Sequence, residues 1–126
     1  MMLELAPGWT TDLERGPDWL FVRLRAPHGC DAAGAELAER LWKLLDRQFT
    51  RRLVLELDDV PLLRSALIGE LVRLQKRIHA QGGMLRICGL SDSNREVLRL
   101  CRLDGCFPSY RSREEAVMGS RPGQPR

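Results

Sequence analysis

Cysteine and histidine are the residue types of this chain that most readily bind metals or act as nucleophiles. The four cysteines and two histidines are Cys30, Cys88, Cys101, Cys106, His28 and His79. No two cysteines are separated by only two residues, and no histidine lies at the spacing from them that is typical of a zinc site. A catalytic Cys–His pair has no support in the local sequence either. We therefore expect reduced thiols, no bound metal and no cofactor.

Ser65 is a hydroxyl residue at a position that suggests a role, because an apolar run becomes an amphipathic helix there, in the stretch LLRSALIGELVRL of residues 62–74. One interpretation is a helix N-cap, whose hydroxyl accepts a hydrogen bond from a backbone N–H and contributes about 1 kcal/mol. The other is a phosphorylation site, where a phosphate would meet the positive end of the helix dipole and the neighbouring Arg64. The residue types leave both interpretations open.

The charged residues do not form a catalytic or nucleic-acid-binding pattern. Asp58 and Asp59 are adjacent carboxylates, but neighbours in a turn point apart, so we expect solvated loop acids. Arg73, with Lys76 and Arg77, lies on the polar side of the helix and is typical of a solvated surface. The net charge of +3 is spread along the sequence, whereas nucleic-acid binding favours a concentrated basic stripe. We expect no enzymatic activity and no nucleic-acid partner.

The length of 126 residues suits one domain, and a composition of 44% hydrophobic and 29% charged residues is typical of a globular protein. No apolar run approaches the length of a membrane span, and the first residues lack a basic signal region. We therefore expect a cytoplasmic protein that does not insert into a membrane. Residues 1–8 are expected to be flexible, the domain to span 9–118, and the Gly-, Pro- and Arg-rich tail 119–126 to be disordered.

Hydrophobic periodicity predicts strands and helices that alternate along the domain. Strands are predicted at 19–24, 53–57, 84–88 and 106–110, with a further one at 9–15 in a hairpin, and helices are predicted to begin near Asp31, Ser65, Ser91 and Ser112. Strands that alternate with helices of this length require crossover connections. The sequence predicts a single α/β domain with a mainly parallel sheet of about four to five strands and about four helices.

From Arg52 to Val117 this order of elements resembles the STAS domain, a family shared by anti-sigma factor antagonists and the cytoplasmic tails of sulphate transporters. The matching features are an apolar strand with an acid at 53–57, a loop at 58–60, a Gly-Gly turn at 82–83, a strand at 84–88 and the ending Leu-Asp-Gly-Cys-Phe at 103–107. The resemblance implies the STAS fold and a non-enzymatic role in bacterial signal transduction and transcription regulation.

The sequence departs from the family around the phosphorylatable serine, to which Ser65 corresponds. Arg64 replaces an acid, Ala66 replaces a second hydroxyl residue, and Leu67 replaces a small glycine. The resemblance implies that Ser65 is the phosphorylation site of a phosphoprotein and that partners bind nearby. The candidate partner-binding residues are Arg64, Ser65, Ala66, Leu67, Ile68, Asp58, Asp59, His28 and Arg73.

Two functions follow from the resemblance and its departures. The first is an anti-sigma factor antagonist that binds a serine-kinase-type anti-sigma factor and is switched by phosphorylation at Ser65. The second is a constitutive STAS-type scaffold subunit of a larger assembly, such as a lipid-transport ATPase complex. The sequence leaves open which partner binds, what the loop at 28–30 does and whether the chain forms a homodimer.

Overall fold

The computed structural model describes residues 2–6, 8–26 and 36–119 of the protein, and in this part of the chain six strands and four helices form. They are β1 Met2–Ala6, β2 Trp9–Arg15, β3 Leu20–Arg25, α1 Leu37–Arg47, β4 Arg52–Asp59, α2 Ser65–Ala80, β5 Met84–Cys88, α3 Asp92–Leu100, β6 Ser109–Tyr110 and α4 Arg113–Met118. The predicted single-domain α/β fold with about four helices is confirmed, and the sheet has one strand more than the upper prediction.

The strands of this sheet follow one another in chain order, from β1 at one edge to β6 at the other. The first two pairings are antiparallel, whereas β3–β4, β4–β5 and β5–β6 are parallel. The parallel pairs are joined by connections that contain α1, α2 and α3 in turn. The mainly parallel sheet predicted from alternating strands and helices is therefore confirmed.

The N-terminal residues differ from the prediction, because residues 2–6 form β1 and pair antiparallel with β2. Leu3 and Leu5 alternate with polar Glu4, and the Leu5 side chain is buried. Gly8 has φ 78°, a left-handed conformation that a turn between two antiparallel strands requires and that glycine adopts without strain. The predicted flexible segment at 1–8 did not include this strand. The predicted helix start near Asp31 and the tail beyond Gly119 lie outside the described residues.

The residues of β4 alternate between the two faces of the sheet, and each face has its own core. Leu53, Leu55 and Leu57 belong to the larger core, which includes residues of α1, α2 and α3. The smaller core consists of Trp19, Val54, Cys88, Tyr110 and Ala116. Ala116 is in α4, so this short helix covers the second face beside β4 and β5. A strand buried on both sides explains why 53–57 reads as a continuous apolar run with a single acid.

Helices α1, α2 and α3 end in the same way, with one residue in the left-handed conformation two positions after the last helical residue. These residues are Phe49 (φ 54°), Gly82 (φ 77°) and Arg102 (φ 59°). At the end of α1, for example, Thr50 N–H donates to Leu45 O at 3.2 Å and Phe49 N–H donates to Asp46 O at 3.2 Å. This is the Schellman arrangement, in which glycine is preferred because other residues pay about 1 kcal/mol for a positive φ. The predicted Gly-Gly stop of α2 is confirmed.

Candidate functional site

The segment of residues 60–66 leads from β4 into α2 and is here named the Ser65 junction. Arg64 is the N-cap residue of α2, with an extended backbone (φ −87°, ψ 157°), and Ser65 is the first helical residue. No side chain among the described residues caps this helix. The N-cap interpretation of Ser65 is therefore wrong, because the residue already has helical geometry one position beyond the cap. Ser65 is exposed at the positive end of the helix.

The first turn of α2 divides sharply between surface and core. Arg64, Ser65 and Ala66 are exposed. Leu67 and Ile68 retain only 2% and 9% of their accessible surface and belong to the larger core. The helix turns these two side chains into the protein, so a partner that met this surface would first contact Arg64, Ser65 and Ala66, and a contact with Leu67 or Ile68 stays a prediction.

Leu62 is a surface residue that sequence reasoning missed. Its neighbour Leu63 is buried, whereas Leu62 is 50% exposed next to the helix start. In an extended loop consecutive side chains point to opposite sides, so only one leucine of the pair reaches the core. The Leu62–Leu63 doublet could have indicated an exposed leucine, because an extended segment that packs one side against the core buries only every second residue.

Asn94 holds the Ser65 junction in place from the first turn of α3. Its side-chain oxygen accepts the backbone N–H of Leu63 at 3.0 Å, and its amide nitrogen donates to the carbonyl of Val60 at 3.1 Å. The Asn94 backbone N–H donates to Ser91 Oγ at 3.1 Å, so the residue also belongs to the capped turn that starts α3. Asn94 is fully buried, which makes these bonds hard for water to replace.

Sequence reasoning also missed Asn94. An amide side chain on the apolar side of a helix pattern, next to Val97 and Leu98, was the available signal. The buried amide satisfies two backbone groups of a loop that has no strand or helix to pair with. We infer that it limits the motion of the junction.

Asp58 and Asp59 lie at the end of β4 rather than in a turn, and both pair with arginines of β3. Arg23 lies 4.0 Å from Asp58 and 3.8 Å from Asp59, and Arg25 lies 3.6 Å from Asp59. Both aspartates are exposed, as predicted for solvated acids, but their placement in a loop is wrong, and the shared Arg23 brings the two carboxylates to one site. These four side chains, with Ala26 and Pro61, line an open groove of about 580 Å³ beside the junction.

Arg73 and His28 are the other two predicted partner-binding residues. Arg73 is exposed and pairs with Glu70 at 3.1 Å, while the other oxygen of Glu70 accepts the backbone N–H of Ala38 at 3.0 Å in α1. Arg73 thus lies on the same helix as Ser65, eight residues or about 12 Å further along the axis. His28 lies outside the described residues.

Glu56, in the middle of β4, forms the most buried ion pair of the described residues. Arg113 of α4 donates to both of its oxygens at 2.9 Å, and Arg113 also lies 2.8 Å from Glu14 and 4.5 Å from the centre of the Phe21 ring. The bidentate contact with Glu56 raises the pKa of Arg113, so the guanidinium stays charged. This pair fastens α4 to the sheet.

Cys88 lies close to this ion pair, and its pKa is raised to about 12, first by burial and then by the negative charges of Glu56 and Asp58. At neutral pH the thiol is protonated, which makes it a poor nucleophile. Cys101 and Cys106 are exposed. Within the described ranges, no group of three or more His, Cys, Asp and Glu side chains is placed to hold a metal ion. None of the described helices is long and apolar enough to cross a membrane.

Solved structures similar to this one include anti-sigma factor antagonists. One from Mycobacterium paratuberculosis is 20% identical, with a TM-score of 0.71, and the match covers 93% of this chain and 97% of that one. An anti-sigma-factor antagonist (STAS) domain protein from Planctomyces limnophilus is 22% identical, with a TM-score of 0.71 and coverage of 86% and 96%. The antagonist SpoIIAA in its unphosphorylated form is 14% identical, with a TM-score of 0.66 and coverage of 88% and 98%.

The class of protein is thus a small α/β domain with the fold of the anti-sigma factor antagonists. The family model of the STAS domain matches residues 11–116, and the chain belongs to the STAS domain family. No curated protein matches the chain by sequence.

Proposed function

We propose that this protein is a non-enzymatic regulator of the anti-sigma factor antagonist type, which binds a protein partner through the Ser65 junction in the bacterial cytoplasm. The observation that supports this best is the exposure of Arg64, Ser65 and Ala66 at the start of α2, directly after a loop that Asn94 holds in place. A surface that is already ordered loses little conformational entropy on binding. The groove with Arg23 and Asp59 supplies charges of both signs beside it.

Phosphorylation of Ser65 is the proposed switch, and a serine-kinase-type anti-sigma factor is the proposed partner. Ser65 is exposed, and the first turn of α2 contains no acidic residue. A phosphate would therefore meet backbone N–H groups, the positive helix end and the Arg64 side chain. Its charge and volume would lie within the interface and release the partner. SpoIIAA was solved in its unphosphorylated form, which supports testing this modification here.

A constitutive scaffold is the second candidate, and Arg64 and Ala66 favour it. Where the family has an acid and a second hydroxyl residue, these side chains present a cation and a methyl group to a kinase. Such a subunit would stay bound to a larger assembly, such as a transporter ATPase, and would carry no phosphate in cells.

Binding and phosphorylation assays with a serine-kinase-type anti-sigma factor from the same organism separate the two candidates. The switch predicts that Ser65→Asp weakens binding at least about tenfold, whereas Ser65→Ala binds normally and is not phosphorylated. Ser93→Asp is the matched control, because Ser93 is also an exposed serine in the first turn of a helix. Unchanged affinity in both Ser65 variants, with no phosphate incorporated, would contradict the switch. A permanent complex with an ATPase would then support the scaffold.

A further inference from the structure

Phe49 is exposed to an extent that is unusual for an aromatic residue, with 93% of its surface accessible. It also has φ 54° at the end of α1, in the position that glycine occupies at the end of α2. Glycine at this position would avoid both the strained backbone and the exposed ring. The fold therefore gains nothing from this side chain, which points to a contact outside the described chain.

The surroundings of Phe49 are basic. A groove of about 400 Å³ has Phe49 in its lining, together with Arg15, Asp18, Arg51, Arg52 and the Gly82–Gly83 pair. The lining contains three guanidinium groups and one carboxylate, and Asp46 adds a second carboxylate because it pairs with Arg51, so the net charge is +1 (three positive, two negative). We name Phe49, Arg15, Arg51 and Arg52 the Phe49 surface.

Two of these arginines are held in position by tryptophans. The Arg51 guanidinium lies 4.7 Å from the centre of the Trp42 ring and also pairs with Asp46 at 3.0 Å. The Arg52 guanidinium lies 5.9 Å from the centre of the Trp19 ring. Stacking on an aromatic ring leaves the edge of a guanidinium available to carboxylates, so the basic groups are arranged before a partner arrives.

The Phe49 surface is remote from the Ser65 junction. The groove includes Gly82 and Gly83, just past the C-terminal end of α2, whereas Ser65 is at its N-terminal end. The 16 residues of this helix span about 24 Å at about 1.5 Å per residue. A contact at Phe49 is therefore separate from the proposed contact at Ser65 and does not depend on it.

We propose that the Phe49 surface docks an acidic segment of a second protein, which places an apolar side chain against the Phe49 ring and carboxylates on the arginines. Charge complementarity favours this occupant over a second copy of the chain, since two copies would bring the same net positive charge together. Together with the proposed contact at the Ser65 junction, the Phe49 surface gives the protein two binding surfaces, one at each end of α2, so it can hold two partners at once.

The test is a titration of the isotope-labelled full chain, followed by NMR, with a short synthetic peptide of Glu and Asp residues around a central Trp. We expect amide shifts at 49–52 and 82–84, none at 62–66, and weaker binding as salt is added. A peptide with Lys in place of the acids, and one with Ser in place of the Trp, are expected to bind at least about fivefold more weakly.

Two glycine variants separate binding from folding. Phe49→Gly and Arg102→Gly both relieve a positive φ at the end of a helix, so both are expected to melt at or above the temperature of the natural protein. Only Phe49→Gly is expected to weaken peptide binding, by at least about fivefold. Equal binding by Phe49→Gly, or equal binding of the Lys peptide, would overturn the proposal. Self-association or binding to phosphatidylglycerol vesicles that depends on Phe49, without peptide binding, would also overturn it.

Discussion

Truncation of Asn94 should loosen the Ser65 junction and destabilise the whole protein. Asn94→Ala removes two hydrogen bonds and leaves the Leu63 N–H and the Val60 carbonyl without a partner in the interior. Leu63 and Val60 each retain 3% of their accessible surface, so solvent does not reach these groups readily. Each unsatisfied buried group costs about 1–3 kcal/mol. We therefore expect a loss of about 3 kcal/mol in the free energy of unfolding, or about 10 °C in melting temperature for a domain of this size.

Urea unfolding followed by tryptophan fluorescence measures this loss, and hydrogen exchange of the Leu63 amide locates it. The amide should exchange at a rate set by local opening in Asn94→Ala and should be protected in the natural protein. Gln75→Ala is the matched control, since it removes another side-chain amide that donates one exposed bond to Cys106 O at 3.3 Å. A loss below about 1 kcal/mol, with Leu63 still protected, would refute the role assigned to Asn94.

Three further predictions concern other parts of the fold. Arg113→Met should cost about 3 kcal/mol in urea unfolding, because Glu56 would remain buried without its bidentate partner, and a cost under about 1 kcal/mol would contradict this. Gly69→Ala should stabilise the protein by about 0.5–1 kcal/mol in the same assay, since an added Cβ meets no described atom within 4 Å, and destabilisation would contradict it. The pKa of the Cys88 thiol is about 12 in the folded protein and about 9 in the unfolded chain. Between these two pH values the thiol therefore ionises in the unfolded chain and stays protonated in the folded protein. Stability relative to Cys88→Ala should thus fall as pH rises from about 9 toward 12, and pH-independent melting differences would refute it.

The sequence predicted the fold well where local signals agree with the tertiary structure. Ser91 caps α3 as expected, and Ser112 caps α4 by accepting the N–H of Glu115 at 3.3 Å. Glu115 also supports this helix start, since its carboxylate accepts the backbone N–H of Arg111 at 3.2 Å. Strand β1 was missed because pairing with β2, and not its own composition, makes it a strand.

The site was less predictable, because it depends on contacts between residues far apart in sequence. Whether a residue near Ser65 faces a partner or the core depends on the rotation of α2 over the sheet, which separates Ala66 from Leu67. The pairing of Asp59 with Arg25 needs the parallel register of β3 and β4. The role of Asn94 needs α3 to pack beside the loop. A local pattern can mark such a residue as unusual, as it does for Asn94, but its partners depend on the tertiary structure.

The chain order of the described strands has a consequence for synthesis on the ribosome. Each new strand pairs with the one made just before it, so no emerging strand has to enter a gap between two earlier ones. The hairpins of β1, β2 and β3 involve contacts close in sequence, which form quickly, and the sheet then grows from one side. The last strand to join this growing edge is β6, which has only two residues. Once β6 has paired with β5, this edge of the described sheet is short and offers few unpaired backbone groups to other chains, whereas β1 forms the longer edge on the opposite side.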